Sequence, residues 1–342
     1  MKAMNDIRLL RRDSLQALFE AFAAGGRRII APVRHGERVT FEQVKSADSV
    51  AADYIQTSVS AKEALFPRYE TLLQYRQNGK AAQIDAQVPT APPTVLFGVH
   101  PCDAASIATL RAVLTWGSPD AHFESKLAAT TIVGLACTQA DPSCFCTSVG
   151  GGPQSAAGSD VLLTPLESGD FRAEVLTEKG RGLVALGAKY FEAAGGELRT
   201  AAPPDVAPRF DHAQVKNRLA ALFDRTDVWI DQSLGCLGCG ACAYVCPTCS
   251  CFDIQDERDR RGGLRLRCWD SCGFAQFTLH ASGHNPRSKQ SERWRQRVMH
   301  KFSYQPQRLG VLGCVGCGRC SRSCPADMNL GEHVQRLAEV GA

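Results

Sequence analysis

Cys236-Leu237-Gly238-Cys239-Gly240-Ala241-Cys242-Ala243-Tyr244-Val245-Cys246-Pro247 is the stretch whose reading decides the rest of this chain. A second run, Cys314-Val315-Gly316-Cys317-Gly318-Arg319-Cys320-Ser321-Arg322-Ser323-Cys324-Pro325, repeats its spacing near the C-terminus. The two match in all four cysteines, in the trailing proline and in the glycines that flank the second cysteine. Gly238, Gly240, Gly316 and Gly318 permit tight backbone turns around each run, and Pro247 and Pro325 restrict the chain just after the last thiol. Chance does not produce such a pattern twice.

The chain has 342 residues, of which 44% are hydrophobic, and this suits a folded protein of two domains or one large one. Its net charge of +4 lacks the concentrated positive charge of a nucleic-acid binder. The 16 cysteines are the outlier. In a secreted protein an even number would read as disulfides. Here Met1–Arg12 has no apolar leader region, so no signal peptide is expected. The strongest apolar runs, 94–99 and 131–136, have strand length, so no membrane insertion is expected either. A reducing, cytoplasmic compartment with clustered cysteines points to metal binding.

The C-x2-C-x2-C-x3-C-P spacing is the one with which bacterial ferredoxins hold 4Fe–4S clusters, the fourth cysteine of each run reaching the other cluster. The expected ligand sets are therefore Cys236, Cys239, Cys242 with Cys324, and Cys314, Cys317, Cys320 with Cys246. Zinc is the alternative, but zinc ribbons pair two C-x2-C units and need neither the third cysteine nor the proline. A long insert, 249–310, separates the runs. It contributes Cys249, Cys251, Cys268 and Cys272, four thiols for a further site, with Asp270 as an alternative oxygen ligand. Its basic stretch, with Arg287, Lys289, Arg293, Arg295, Arg297 and Lys301, reads most simply as a solvated helical face, and more sharply as a dock for an acidic partner.

The expected architecture is an α/β domain over 1–208 with a partly parallel sheet, then a mostly helical, ferredoxin-like domain over 209–342 that carries the insert. Residues 6–24 read as an amphipathic helix ended by Gly25-Gly26, and Arg28–Val33 with Arg38–Phe41 as a hairpin. Strand 94–99, a helix over 104–114 capped by Asp103, and strand 131–136 suggest a right-handed βαβ unit. That unit puts Cys102 and Cys137 on one sheet edge, where the following loop adds Cys144 and Cys146. These four thiols are a candidate site for a further cluster or a zinc ion; buried, inert cysteines are the bland reading. His100 reads as a loop residue. The glycine-rich 148–154 lacks the order of a P-loop and reads as a turn. Residues 161–166 and 171–176 resemble a strand pair, 182–193 and 213–223 look helical, and 201–208 is a linker.

Gly98-Val-His-Pro-Cys-Asp103, Cys144-Phe-Cys-Thr-Ser148, Cys246-Pro-Thr-Cys-Ser-Cys-Phe-Asp253, Trp269-Asp-Ser-Cys272 and Gly283-His-Asn285 together resemble one family. It is the β subunit of cytoplasmic NiFe hydrogenases of the sulfhydrogenase type, with the related A subunit of anaerobic sulfite reductase. The similarity runs from about Ser60 to Leu330. It implies a conduit with several 4Fe–4S clusters, two from the ferredoxin-type runs and up to four in all. The implied partners are a flavin subunit using NAD(P)H and a catalytic subunit, either the large and small NiFe hydrogenase subunits or a sulfite reductase. The eight cysteines of the two runs match the family, as do Cys249, Cys251, Cys272, Cys102, Cys137, Cys144 and Cys146. Cys268 departs from it, which leaves the fourth ligand of the insert site between Cys268 and Asp270. No nicotinamide or flavin fingerprint and no nucleophile–base pair is present, so no substrate-converting site is expected in this chain. Two rival readings are a flavin- or sulfur-substrate-binding N-terminal domain and a zinc-stabilised scaffold.

Overall fold

The computed structural model describes residues 6–340. Twelve strands are present among them: β1 (Asp6–Leu10), β2 (Arg28–His35), β3 (Arg38–Val44), β4 (Tyr69–Asn78), β5 (Ala81–Asp85), β6 (Thr94–Val99), β7 (Thr130–Leu135), β8 (Val161–Pro165), β9 (Phe171–Val175), β10 (Phe191–Ala193), β11 (Phe252–Arg258) and β12 (Gly262–Trp269). Eight of them form one mixed sheet in the order β10-β1-β9-β8-β7-β6-β2-β3. Strands β2, β6, β7 and β8 are mutually parallel, and the flanking strands pair antiparallel. Every residue of β6 and β7 is buried. This explains their unbroken apolar runs, since a central parallel strand is covered on both faces.

Helices cover the two faces. On one side α1 (Leu15–Ala24) sends Leu18, Phe19 and Phe22 onto Phe97, Val133 and Leu163. On the other, α2 (Pro101–Leu114) and α3 (Ala121–Ala129) pack Ile107, Leu110 and Phe123 against Leu96 and Ile132. Helix α4 (Glu178–Leu186) follows β9, and the Thr177 side chain caps it by accepting from the Gly180 N–H.

Three local expectations are corrected. Residues 6–24 are a strand followed by a helix, because β1 is held between β9 and β10. Residues 182–193 likewise end as the edge strand β10. Helix α2 begins at Pro101 with His100 at its N-cap, so Asp103 lies inside the first turn and is not the cap. A proline at the first helical position loses no hydrogen bond there.

The remaining helices are α5 (His212–Ala221), α6 (Thr226–Ser233), α7 (Ala241–Tyr244), α8 (Gln290–Met299), α9 (Gln305–Leu309), α10 (Arg319–Arg322) and α11 (Leu330–Glu339). Val215, Leu219, Trp229, Val298, Phe302 and Val334 form their common core, which Phe145 and Val149 from the earlier part of the chain complete. The two parts also share a second, antiparallel sheet in the order β11-β12-β4-β5. Its hairpin β11-β12 comes from the insert, while β4-β5 comes from the first 208 residues. The two halves are therefore interlocked across residue 208. A π turn, His300–Tyr304, joins α8 to α9.

Candidate iron–sulfur centres

Cys236, Cys239, Cys242 and Cys324 line one cavity, with Cys320, Trp294 and Met328 on its walls. Gly240 and Gly318 sit at φ +76° and +73° immediately before the short helices α7 and α10. A Cβ at Gly240 would come within 2.5 Å of the Phe274 ring, and one at Gly318 within 2.5 Å of the Ser143 carbonyl oxygen. The glycines of the two runs thus meet a positive φ and a close approach together, which no other residue tolerates. Gln290 Nε2 donates to Cys236 Sγ at 2.9 Å. Cys239 is exposed, and its neighbours Leu234 and Leu237 are exposed too.

Cys314 and Cys317 are buried, and Cys246 and Cys320 lie near enough to perturb both. Burial pushes the Cys314 and Cys317 thiols up to about 12. The Gly316 N–H is 3.4 Å from Cys314 Sγ.

From the insert, Cys251 and Cys272 are within hydrogen-bonding reach of each other, and Cys249 is within reach of Cys246. Cys268 does not join them. On β12 the side chains alternate, Arg267 and Trp269 face inward, and Cys268 faces Asp253 and Glu257 on the opposite side. The Asp270 backbone N–H donates to the Cys251 carbonyl at 3.0 Å, while its carboxylate accepts from the Ser271 N–H at 2.6 Å.

Cys102, Cys137, Cys144 and Cys146 line a single pocket at the carboxyl edge of β6 and β7, and Cys317 of the second run borders it. Burial pushes Cys137 up to about 12 and raises Cys102 well above the ordinary thiol range. Gln56 Nε2 donates to Cys102 Sγ at 3.0 Å, and Arg322 Nη2 to Cys144 Sγ at 3.1 Å. Arg322 also donates to the Cys317 carbonyl at 2.8 Å and pairs with Asp141, tying this edge to the second run. The Phe145 N–H donates to the Gly316 carbonyl at 2.9 Å across the same seam. Beneath it, Arg319 and Asp103, each 2% exposed, form a buried ion pair, with Nη1 2.6 Å from Oδ1.

The basic stretch of the insert is corrected most strongly. Arg293, Arg297 and Lys301 are buried rather than solvated. Their four-residue spacing puts them on one helical face beside Trp294, Val298 and Phe302, so the row turns inward with the apolar stripe. Lys301 Nζ donates to Cys246 Sγ at 3.3 Å, Cys249 Sγ at 3.6 Å, the Thr248 hydroxyl at 3.2 Å and the Gly313 carbonyl at 2.7 Å. Arg297 donates to the Cys242 carbonyl at 2.8 Å and lies 3.8 Å from Cys249 Sγ. Lys62 Nζ donates to the Cys249 carbonyl at 2.9 Å and stands 3.9 Å over the Trp269 ring. Sequence reasoning named Arg293, Arg297 and Lys301 but not their inward turn, and it missed Lys62; the spacing of the three in register with the apolar stripe was the available signal.

Hydrogen bonds between paired thiols, helped by these cations, lower two of the buried thiols. A hydrogen bond from Cys249, then Lys301 and Arg297, hold Cys246 well below the ordinary thiol range against its burial. A hydrogen bond from Cys251, helped by Arg297 and Lys301, brings Cys272 down to about 6. A metal-binding cysteine must be a thiolate, and a buried cation needs an anion beside it. All 16 cysteines are free, several accept N–H donors, and cations converge on those of the insert. These residues fit an anionic, thiolate-bound group.

A family model described as a 4Fe-4S dicluster domain matches residues 235–328, which contain both cysteine runs. Over 320 residues, 92% of each chain, the protein is 34% identical to sulfhydrogenase 2 subunit beta of Pyrococcus furiosus. The fold and its thiol-lined cavities thus define an iron–sulfur protein of the 4Fe–4S dicluster class. Within that class, the chain belongs to the family of sulfhydrogenase β subunits, and it is an iron–sulfur electron-transfer subunit of a multi-subunit complex. No helix among the described residues is long and apolar enough to cross a membrane.

Proposed function

We propose that this subunit holds four 4Fe–4S clusters and relays electrons, in the cytoplasm, between an NAD(P)H-oxidising flavin subunit and a NiFe hydrogenase. Cys236, Cys239, Cys242 and Cys324 hold the first, and Cys314, Cys317, Cys320 and Cys246 the second. Cys249, Cys251 and Cys272, with Asp270, hold the third, and Cys102, Cys137, Cys144 and Cys146 the fourth. When bound, each such cluster takes up and releases one electron at a time. The chain's own residues supply donors to sulfur and hold the four sets in contact.

That contiguity carries the reading. Cys317 borders the pocket of the fourth set, Cys246 reaches Cys249 of the third, and Cys242 of the first feels Cys272 and Cys320. Exposed Cys239 with Leu234 and Leu237 opens the first set toward solvent, where a partner subunit can approach. The purified complex is expected to be brown and oxygen-sensitive, with iron and acid-labile sulfide in equal amounts in this subunit. Zinc in place of iron would sink the proposal. A large subunit with nickel co-purifying identifies the hydrogenase assembly, whereas a sirohaem protein identifies a sulfite-reducing one.

One observation favours a second reading, in which the first domain also binds a flavin or a sulfur compound. A cleft at the carboxyl ends of β6, β7 and β8 is lined by Arg12, Phe97, His100, Leu135 and Phe171. In it the buried His100 has an Nδ1 without a hydrogen-bond partner. Open α/β sheets bind ligands at this edge. Flavin analysis of the isolated subunit decides, since a pure conduit retains none.

A further inference from the structure

We propose that Lys301, together with Arg297, raises the reduction potential at the junction between Cys246 and Cys249, making it the point of the chain where electrons collect. The inference rests on the cluster reading above and goes beyond it by ordering the sites.

The argument is one of charge compensation. Burying a cation is unfavourable unless an anion is beside it. At three other arginines that anion is a carboxylate: Arg319 has Asp103, Arg267 has Glu70 and Asp120, and Arg322 has Asp141. Buried Lys62 and Arg293 donate instead to carbonyls, and Arg293 also to the Gln290 amide oxygen. Lys301 and Arg297, each 4% exposed, have no carboxylate partner among the described residues. Their acceptors are the Cys246 and Cys249 sulfurs, the Thr248 hydroxyl and the carbonyls of Gly313 and Cys242. Only sulfur can carry the countercharge.

The other sets are treated differently. The first receives a neutral amide on sulfur, Gln290 on Cys236, and shares Arg297, which lines its cavity and donates to the Cys242 carbonyl but not to a first-set sulfur. The fourth receives a second neutral amide, Gln56 on Cys102, and Arg322, whose charge is already matched by Asp141. Lys301 thus sets its charge directly on sulfurs where the second and third sets meet, and Arg297 extends it toward Cys242 of the first. Reduction adds negative charge to a thiolate-bound centre, and a buried cation at hydrogen-bonding distance favours that state strongly because the local dielectric is low. The backbone supports the placement. Lys301 lies in the π turn between α8 and α9, and such turns insert one residue and re-aim a side chain at functional sites.

The test is a redox titration of the cluster-loaded complex monitored by electron paramagnetic resonance, with iron counted in each sample. In Lys301→Met, one or both junction centres should become harder to reduce, with the reduced-to-oxidised ratio at a fixed potential falling at least tenfold. That corresponds to a shift of 59 mV for one electron. The signals of the other sets should stay in place, and Lys301→Arg, which keeps the charge, should restore most of the shift. Unchanged potentials with a full iron count overturn the inference and leave the cluster reading standing. Absence of iron from the unaltered protein overturns both. If Lys301→Met loses iron, Lys301→Gln, which keeps a donor without the charge, is titrated instead. Loss of iron from both neutral variants overturns the tuning role, because Lys301 is then a structural support.

Discussion

Replacing Asp103 by alanine tests how the two halves of the protein are locked together. Asp103 opens α2 beside Cys102, and Arg319 lies between Cys317 and Cys320, so their ion pair joins the sheet edge to the second cysteine run. Both side chains are 2% exposed. Arg319 also donates through Nε to the Thr57 carbonyl at 2.8 Å and through Nη2 to the Thr57 hydroxyl at 2.7 Å. Asp103→Ala keeps those two bonds but strands a buried guanidinium without its carboxylate. Breaking such a pair from one side costs about 3–5 kcal/mol, which lowers the ratio of folded to unfolded protein by a factor of a hundred or more. With a denaturant slope of about 3 kcal/mol/M, the urea midpoint should fall by about 1 M or more. The measurement is anaerobic urea unfolding of the loaded protein, followed by tryptophan fluorescence and by loss of visible absorbance. The double variant Asp103→Leu with Arg319→Met removes both charges and should recover most of the loss, since a buried pair gains little over packed apolar groups. Asp103→Ala with an unmoved midpoint, or a double variant no better than the single one, refutes the reasoning.

Four further outcomes are expected. Cys272→Ser should remove about one cluster's worth of iron while Cys268→Ser removes none, because β12 turns Cys268 to the opposite face; equal losses would return Cys268 to the third set. Cys102→Ser and Cys144→Ser should each lose one cluster's worth as well, and intact iron in both would make those thiols merely buried. Gly316→Ala combines a positive φ with a Cβ 2.5 Å from the Phe145 carbonyl, so a stability loss of about 1–3 kcal/mol or more, read by thermal unfolding, is expected. At Asp120, burial raises the carboxyl, but the Arg267 hydrogen bond, the Phe123 N–H and the Arg267 charge outweigh it and leave it below the ordinary value. The folded pKa being the lower one, the stabilisation is complete above the unfolded value of about 3.9 and is lost as pH falls through the folded value. Acid unfolding curves of Asp120→Asn should therefore lack that part of the wild-type slope.

The two cysteine runs were legible without a structure because iron–sulfur ligation is encoded in local spacing, and the matching glycines and prolines answer local backbone demands. The central strands β6 and β7 were equally plain, since a strand covered on both faces is built mainly from apolar and β-branched residues. The opening segment differs from its sequence pattern for the converse reason. Ile7 and Leu10 fit a helical period, and only pairing with β9 and β10 makes 6–10 a strand. The hairpin 252–269 escaped notice because its partner, β4, lies far back in the chain.

The same division holds at the sites. Sequence by itself determined which thiols belong to the repeated runs and that the insert and the sheet edge supply more. Tertiary structure decided that Cys268 turns away, that Asp103 answers Arg319, and that Arg293, Arg297 and Lys301 point inward. A basic residue carries no local mark of burial. Whether it is solvated or placed against a sulfur depends on which face of its helix meets the core, and that is set by contacts between segments remote in the chain.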